Sequence, residues 1–344
     1  MFADSREGRP YVAILKAVDR HGLEHRRQSI VPPSVFNFLA LMLLSTGIAG
    51  AQDAPDFHAD VSLVHIDAAV LDAHNRPISG LTKGDFRIFD DDRQQPIVIF
   101  SSTQQPLDLL LLIDISRSMR PKVQEIAASS QAAIKELQPR DRVSVAVFNT
   151  RFRVVLAFTA DRWAVEDTLD GVLRQSFGGG TAIRSSVSDA ANQFPPLEKQ
   201  EEQHRRAVLA ITDNIGIPNR RETSVVRDLA EADAVLSGLI VSNRLATVSP
   251  ANLLSPLGVK KPGGIEGVVE KTGGDLIYSD DLATAFPEMM RRLRSRYSLY
   301  YRLPESSRTR QERSVRIELN PETLMRFPGA RVRARNRYKV PGAN

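Results

Sequence analysis

The sequence has no cysteine and six histidines in 344 residues. Without cysteine there are no disulfides, no thiolate metal ligands and no cysteine nucleophile, and the compartment stays open because an exported protein need not be cross-linked. The histidines (His21, His25, His58, His65, His74 and His204) lack the H-x-x-x-H spacing that would point to a zinc hydrolase. They read as surface residues. No internal repeat and no long low-complexity linker is present. What remains is ordinary: hydrophobic content of 42% and charged content of 25% suit a globular chain, long enough for one large domain and a smaller one.

The net charge of +5 conceals an asymmetry, since residues 291–344 carry a local +11 and residues 52–290 a local −8. Arg331, Arg333, Arg335 and Arg337 recur at period two, which predicts four arginines on one face of a strand. Such an end attracts anionic surfaces such as nucleic acid or lipid headgroups. The preferred reading is a sheet face that complements an acidic neighbour, with no nucleic acid as partner.

Phe36–Ile48 is uncharged and mostly apolar, preceded by Arg26-Arg27 and followed by Ala49-Gly50-Ala51. A basic region, an apolar core and a small-x-small end read as a secretory signal peptide. Thirteen residues span a bilayer poorly, so a cleaved signal is expected rather than a stable transmembrane anchor. The basic region is unusually long, and the true start is expected downstream of Met1. Export to the periplasm, the cell surface or the medium follows.

The expected organisation is an extension and signal over 1–51, a β segment over 52–105, an α/β domain over 106–296 and a C-terminal β segment over 297–344. In the first β segment Val61–Val70, Asp85–Asp90 and Gln94–Phe100 alternate as strands. Between 107 and 296 strands and helices alternate, which predicts a doubly wound, mostly parallel sheet flanked by helices. Tyr297–Leu303, Ser314–Leu319 and Arg331–Tyr338 return to β character, and the two β segments are expected to pack together as a smaller β-rich unit.

The most informative stretch is Leu107–Met119, LDLLLLIDISRSM. Its unbroken apolar run reads as a strand buried on both faces, at the centre of a parallel sheet. In such sheets ligands sit beyond the carboxyl ends of the strands, where Asp114, Ser116 and Ser118 fall. Hard oxygen donors at i, i+2 and i+4 suit a small divalent cation such as Mg²⁺. Gly178-Gly179-Gly180-Thr181 and the apolar run Ala207–Thr212 with Asp213 follow in order.

Asp114-x-Ser116-x-Ser118, Thr181 and Asp213 together resemble the metal-ion-dependent adhesion site of the von Willebrand factor type A domain. Gly80-Leu81-Thr82, Asp85-Phe86, the Gln95–Phe100 segment and the closing V-R-A-R-x-x-Y phrase resemble the flanks of a bacterial VWFA-related subgroup common in Acidobacteria. The resemblance implies a Rossmann-like fold and a site for Mg²⁺, or Mn²⁺ or Ca²⁺ in its place. By it, Ser116 and Ser118 would ligate directly, Thr181 directly or through water, and Asp114 and Asp213 would hold the cation's waters. One position would remain for a partner's acidic side chain. The sequence departs from the family in placing Asn214 and Ile215 between the second aspartate and Gly216. Asparagine tolerates a left-handed backbone, so the turn is expected to survive.

Each element also has a plain structural reading. The serines can satisfy backbone groups in a turn, the glycines can be a connector, and Asp213-Asn214 can end a strand. A phosphate-cradling loop is disfavoured because no lysine follows the glycines in Walker form. The leading expectation is an exported, non-enzymatic module that binds a protein through a divalent cation. One alternative is a scaffold with a vestigial metal site, whose arginine strand contacts anionic surfaces. A metal-assisted phosphohydrolase is a weaker one, since Ser116 stands where such enzymes carry a second carboxylate.

Overall fold

The computed structural model describes residues 63–102, 105–172, 174–196, 204–241, 263–303 and 312–340. The expected signal segment Phe36–Ile48 lies outside them. Among the described residues no helix is long and apolar enough to cross a membrane. In chain order the strands are β1 Leu63–Leu71, β2 Phe86–Asp90, β3 Arg93–Gln95, β4 Ile97–Ser101, β5 Leu107–Asp114, β6 Arg142–Phe148 and β7 Phe152–Thr159. They continue with β8 Arg205–Thr212, β9 Ala234–Val241, β10 Leu276–Ser279, β11 Tyr297–Arg302, β12 Glu312–Leu319, β13 Arg331–Ala334 and β14 Arg337–Lys339.

The central sheet has the order β10-β9-β8-β5-β6-β7. All neighbours are parallel except β7, which returns antiparallel to β6. All eight residues of β5 are buried, because helices cover both faces. Leu109, Leu111 and Ile113 pack on one side with the helices Arg120–Ile134, Arg162–Val172 and Leu282–Arg294. Leu110 and Leu112 pack on the other with Ile183–Ala191, Glu222–Glu231 and Glu266–Thr272. A strand with a core on each side cannot alternate with polar residues, which is why Leu109 to Ile113 is one apolar run. The chain is therefore a mixed α/β structure with a mostly parallel central sheet. Local chemistry sets the helix starts: Pro121 sits in the first turn of its helix, and Asp161 Oδ1 accepts from the N–H groups of Trp163 and Ala164.

Two antiparallel sheets accompany it, β13-β1-β11-β4 and β14-β12-β2-β3. They share one apolar core that includes Ile66, Phe86, Ile88, Tyr297 and Leu299. Tyr297 stitches a loop into it, its hydroxyl donating to Ile78 O at 2.8 Å and accepting from Leu81 N at 3.2 Å.

The four arginines do not share a strand face. Arg331 and Arg333 belong to β13 and Arg337 to β14, in different sheets, and the strand breaks at Arg335-Asn336. Arg333 binds Asp275 at 3.1 Å, Arg335 binds Asp233 at 2.5 Å and Arg337 pairs with Glu312 at 3.2 Å. The chain passes from one sheet to the other at Arg335-Asn336, which is what breaks the period-two pattern. The acidic neighbour was expected; the single arginine face is corrected.

That pairing belongs to a polar seam at the amino-terminal ends of the central strands. Arg296, 2% exposed, donates to Asp275 at 3.2 Å and to the carbonyls of Gly273 and Asp67 at 2.7 and 3.3 Å. Arg205, also buried, reaches the carbonyls of Leu293 and Arg294 at the end of the last long helix, at 3.0 and 3.3 Å. His65 on β1 meets Asp233 at 2.6 Å.

Candidate metal centre

The site lies at the opposite, carboxyl-terminal end of the sheet, and begins with β5 running out at Asp114. The parallel register pairs Ile113 with Ile211, so Asp114 is level with Thr212 on β8. Asp114 Oδ2 accepts from Thr212 Oγ1 at 2.6 Å, and Asp114 Oδ1 accepts from Ser116 N at 2.8 Å. Burial pushes the Asp114 carboxyl up to about 6; the nearby charge of Asp213 adds to the rise, while the Thr212 and Ser116 hydrogen bonds oppose it. The carboxylate is thus held away from water, next to a second one, which is the setting in which a cation gains most.

Ser116 occupies the N-cap position of the turn Arg117–Met119, yet its side chain makes no capping hydrogen bond. Its Oγ lies 3.2 Å from Ser118 Oγ. The plain reading of these serines as backbone caps therefore does not describe Ser116. The two hydroxyls converge on each other instead.

The second loop crosses the top of the sheet. Gly178 N donates to Ile115 O at 3.2 Å, and Ala182 N donates to Asn149 O at 2.8 Å. Gly179 has φ +78, a left-handed conformation that a side chain would strain. Thr181, 5% exposed, lies between these two anchors, and its carbonyl accepts from Ile217 N at 2.9 Å. So the Thr181 loop touches both the Asp114–Ser118 segment and the Asp213–Ile217 segment.

In the third loop Asp213 is 3% exposed; its Oδ1 accepts from Ile215 N at 3.2 Å. Its Oδ2 is buried with no hydrogen-bond partner. Asn214 takes φ +56, as the departure at this position requires. Its amide is spent on the loop: Oδ1 accepts from Ile265 N at 3.0 Å, and Nδ2 donates to Glu266. Gly216 is needed for space, since a Cβ there would stand 2.8 Å from both Gly263 O and Ile183 Cγ2.

Asp114, Ser116, Ser118, Thr181 and Asp213 thus lie on three loops that touch one another. Among the described residues no three His, Asp or Glu side chains gather as a metal cluster, and this centre has only two carboxylates, with hydroxyls as its remaining oxygens. That donor set fits a hard cation that accepts neutral oxygen and water, and the unpartnered Asp213 Oδ2 fits one that supplies the missing charge. Arg220, in the loop beyond, is bound to Asp228 at 2.6 Å and does not project a free charge over the centre. Sequence reading missed Thr212. Its only signal is its place one residue before Asp213, which the strand register converts into contact with Asp114.

Residues 109–216 match the family model of the von Willebrand factor type A domain. No curated protein matches the chain significantly. Among solved structures the chain is similar to the conserved hypothetical protein BatB from Bacteroides thetaiotaomicron, at 20% identity and TM-score 0.43, covering 54% of this chain and 97% of that one. An aerotolerance-related membrane protein from Bacteroides fragilis matches at 17% identity and TM-score 0.43, over 54% and 98% of the two chains. Proximal thread matrix protein 1 from the mussel byssus, in a form with a zinc-occupied MIDAS motif, matches at 14% identity and TM-score 0.45, over 59% of this chain and 49% of its own.

Proposed function

Taking residues 109–216 as a von Willebrand factor type A domain, we propose that the top of the central sheet binds one divalent cation and, through it, an acidic side chain of a protein partner. The observation that carries this reading is Asp213 Oδ2, buried with no partner beside a second buried carboxylate whose proton affinity is raised. An unmatched buried charge is costly, and a bound cation offsets it. Ser116, Ser118 and Thr181 would offer neutral oxygens, and Asp114 and Asp213 the negative charge. A cation held by so few formal charges keeps a strong attraction for one further carboxylate, which is the chemistry it supplies. Mg²⁺ is favoured, with Mn²⁺ or Ca²⁺ as substitutes.

The reading is of a binding module and not an enzyme, because Ser116 stands where a metal-assisted phosphohydrolase would carry a second carboxylate. Export through the Phe36–Ile48 segment belongs to the same proposal and is tested by sequencing the amino terminus of the mature protein; a terminus before residue 30 argues against it.

The test is calorimetric titration of Mg²⁺ and Mn²⁺ into the wild-type chain and into Asp114→Ala. Binding heat in the wild type that disappears in the variant supports the reading. Equal heats, or none in either protein, overturn it.

A further inference from the structure

Away from the metal centre, a groove of about 710 Å³ opens between the helix Glu222–Glu231 and strand β14. Asn336, Arg337, Tyr338 and Lys339 all line it. A groove over a sheet face would meet every second residue of a strand. One that meets all three residues of β14 in succession faces the edge, where the backbone is accessible. Among the described residues no strand lies beyond β14, which ends the order β14-β12-β2-β3.

The register decides which backbone groups point outward. In an antiparallel ladder alternate residues turn both N–H and C=O to their partner. Val315 N donates to Asn336 O at 3.0 Å, and Tyr338 stands opposite Arg313, so Asn336 and Tyr338 face β12. Arg337 and Lys339 therefore turn their N–H and C=O toward the groove.

Charge adds a second, independent constraint. Arg337 and Lys339 are two apart, so their exposed side chains share one face of the strand, while Tyr338 between them is buried. Arg227 from the helix and Lys271, itself paired with Glu222 at 3.0 Å, also line the groove. Its two carboxylates, Glu231 and Glu312, are paired at 3.3 Å with Lys339 and at 3.2 Å with Arg337. These are exposed pairs that exchange partners at little cost. Arg227, with a 64% exposed side chain, is only 3.6 Å from an Asp228 that Arg220 already holds at 2.6 Å.

We propose that this groove docks an extended acidic segment of a partner protein, which adds a strand to the β14 edge and sets its alternate carboxylates against Arg337 and Lys339. The backbone groups of those two residues supply the pairing, and Arg227 and Lys271 flank the segment from the opposite wall. Strand addition of this kind draws affinity from main-chain hydrogen bonds and specificity from alternate side chains. The site is independent of the cation and of the three loops that hold it.

The probe is a fluorescein-labelled decapeptide of alternating glutamate and valine, titrated into the full chain by fluorescence anisotropy in the presence of a chelator. The lysine–valine counterpart and a glutamate–valine peptide N-methylated at every second residue serve as comparisons. The glutamate peptide is expected to bind at least about tenfold tighter than the lysine peptide, and N-methylation to weaken it by about tenfold, the loss of a few backbone bonds. Arg227→Glu, on an exposed helical surface, is expected to weaken binding severalfold without loss of fold, checked by its thermal melt. Equal binding of glutamate and lysine peptides overturns the proposal. So does unchanged binding of the N-methylated peptide, which would mark the groove as a diffuse attractor of anions.

Discussion

The Thr212 hydroxyl donates to Asp114 Oδ2 at 2.6 Å across two neighbouring parallel strands, and the same oxygen accepts from Asn214 N at 3.0 Å. One hydroxyl therefore fixes the first carboxylate of the candidate centre and the turn that follows the second.

Thr212→Val keeps the side-chain shape and removes both bonds. A charge-assisted hydrogen bond is lost and a buried N–H is stranded, so the variant is expected to lose about 1–3 kcal/mol of stability and to bind Mg²⁺ about tenfold more weakly. Thermal denaturation and calorimetric titration measure the two effects. Unchanged Mg²⁺ affinity would separate Thr212 from the centre.

Gly216→Ala places a methyl 2.8 Å from Gly263 O and from Ile183 Cγ2. Backbone cannot yield as a flexible side chain does, so the Asp213–Ile217 loop must move. The expected outcome is a destabilisation of about 1–3 kcal/mol with cation binding lost before the fold. Titration of a variant that still melts cooperatively distinguishes the two.

The stability of the chain is expected to fall on the alkaline side. Burial alone would lower the pKa of His65, but Asp233 at 2.6 Å and Asp67 outweigh it and push the imidazole up to about 9. A group with a higher pKa in the folded state binds its proton more tightly there, so its contribution is complete below about pH 6.5 and is lost as pH rises through 9. Unfolding free energy by urea should decline across that window by about 3 kcal/mol. His65→Gln should flatten the decline, and a wild-type profile without it would contradict the assignment.

Asp275, fully buried, holds Arg296 at 3.2 Å and Arg333 at 3.1 Å. Asp275→Ala leaves the buried Arg296 guanidinium with only Asp67, at 3.9 Å, as counter-charge, and a loss of about 3 kcal/mol is expected. Asp275→Ala combined with Arg296→Met should recover part of it, as equilibrium denaturation would record.

How much of this was legible in the sequence depends on whether the signal was local. The β5 run and the hydroxyls after it stand out because burial on two faces leaves no polar residue between Asp108 and Asp114. Asn214 was readable as a left-handed position from its residue type alone. Thr212 was not, because its role arises from inter-strand register. The arginines misled for the same reason: Arg335 answers to Asp233, 102 positions away, and no local pattern announces that partner. Alternation in a sequence reports which face a residue takes, not whether the strand continues long enough to use it.

The buried ion pairs under the central sheet also bear on how the protein can be cut. Only Ser295 and Arg296 separate the last long helix from β11, and Arg205 grips the carbonyls on which that helix ends. A fragment trimmed at 296 would strip Asp275 of Arg333 and Asp233 of Arg335 in a single stroke, and would uncover the floor of its own sheet. Anyone isolating the α/β half for study should carry both flanking sheets along with it.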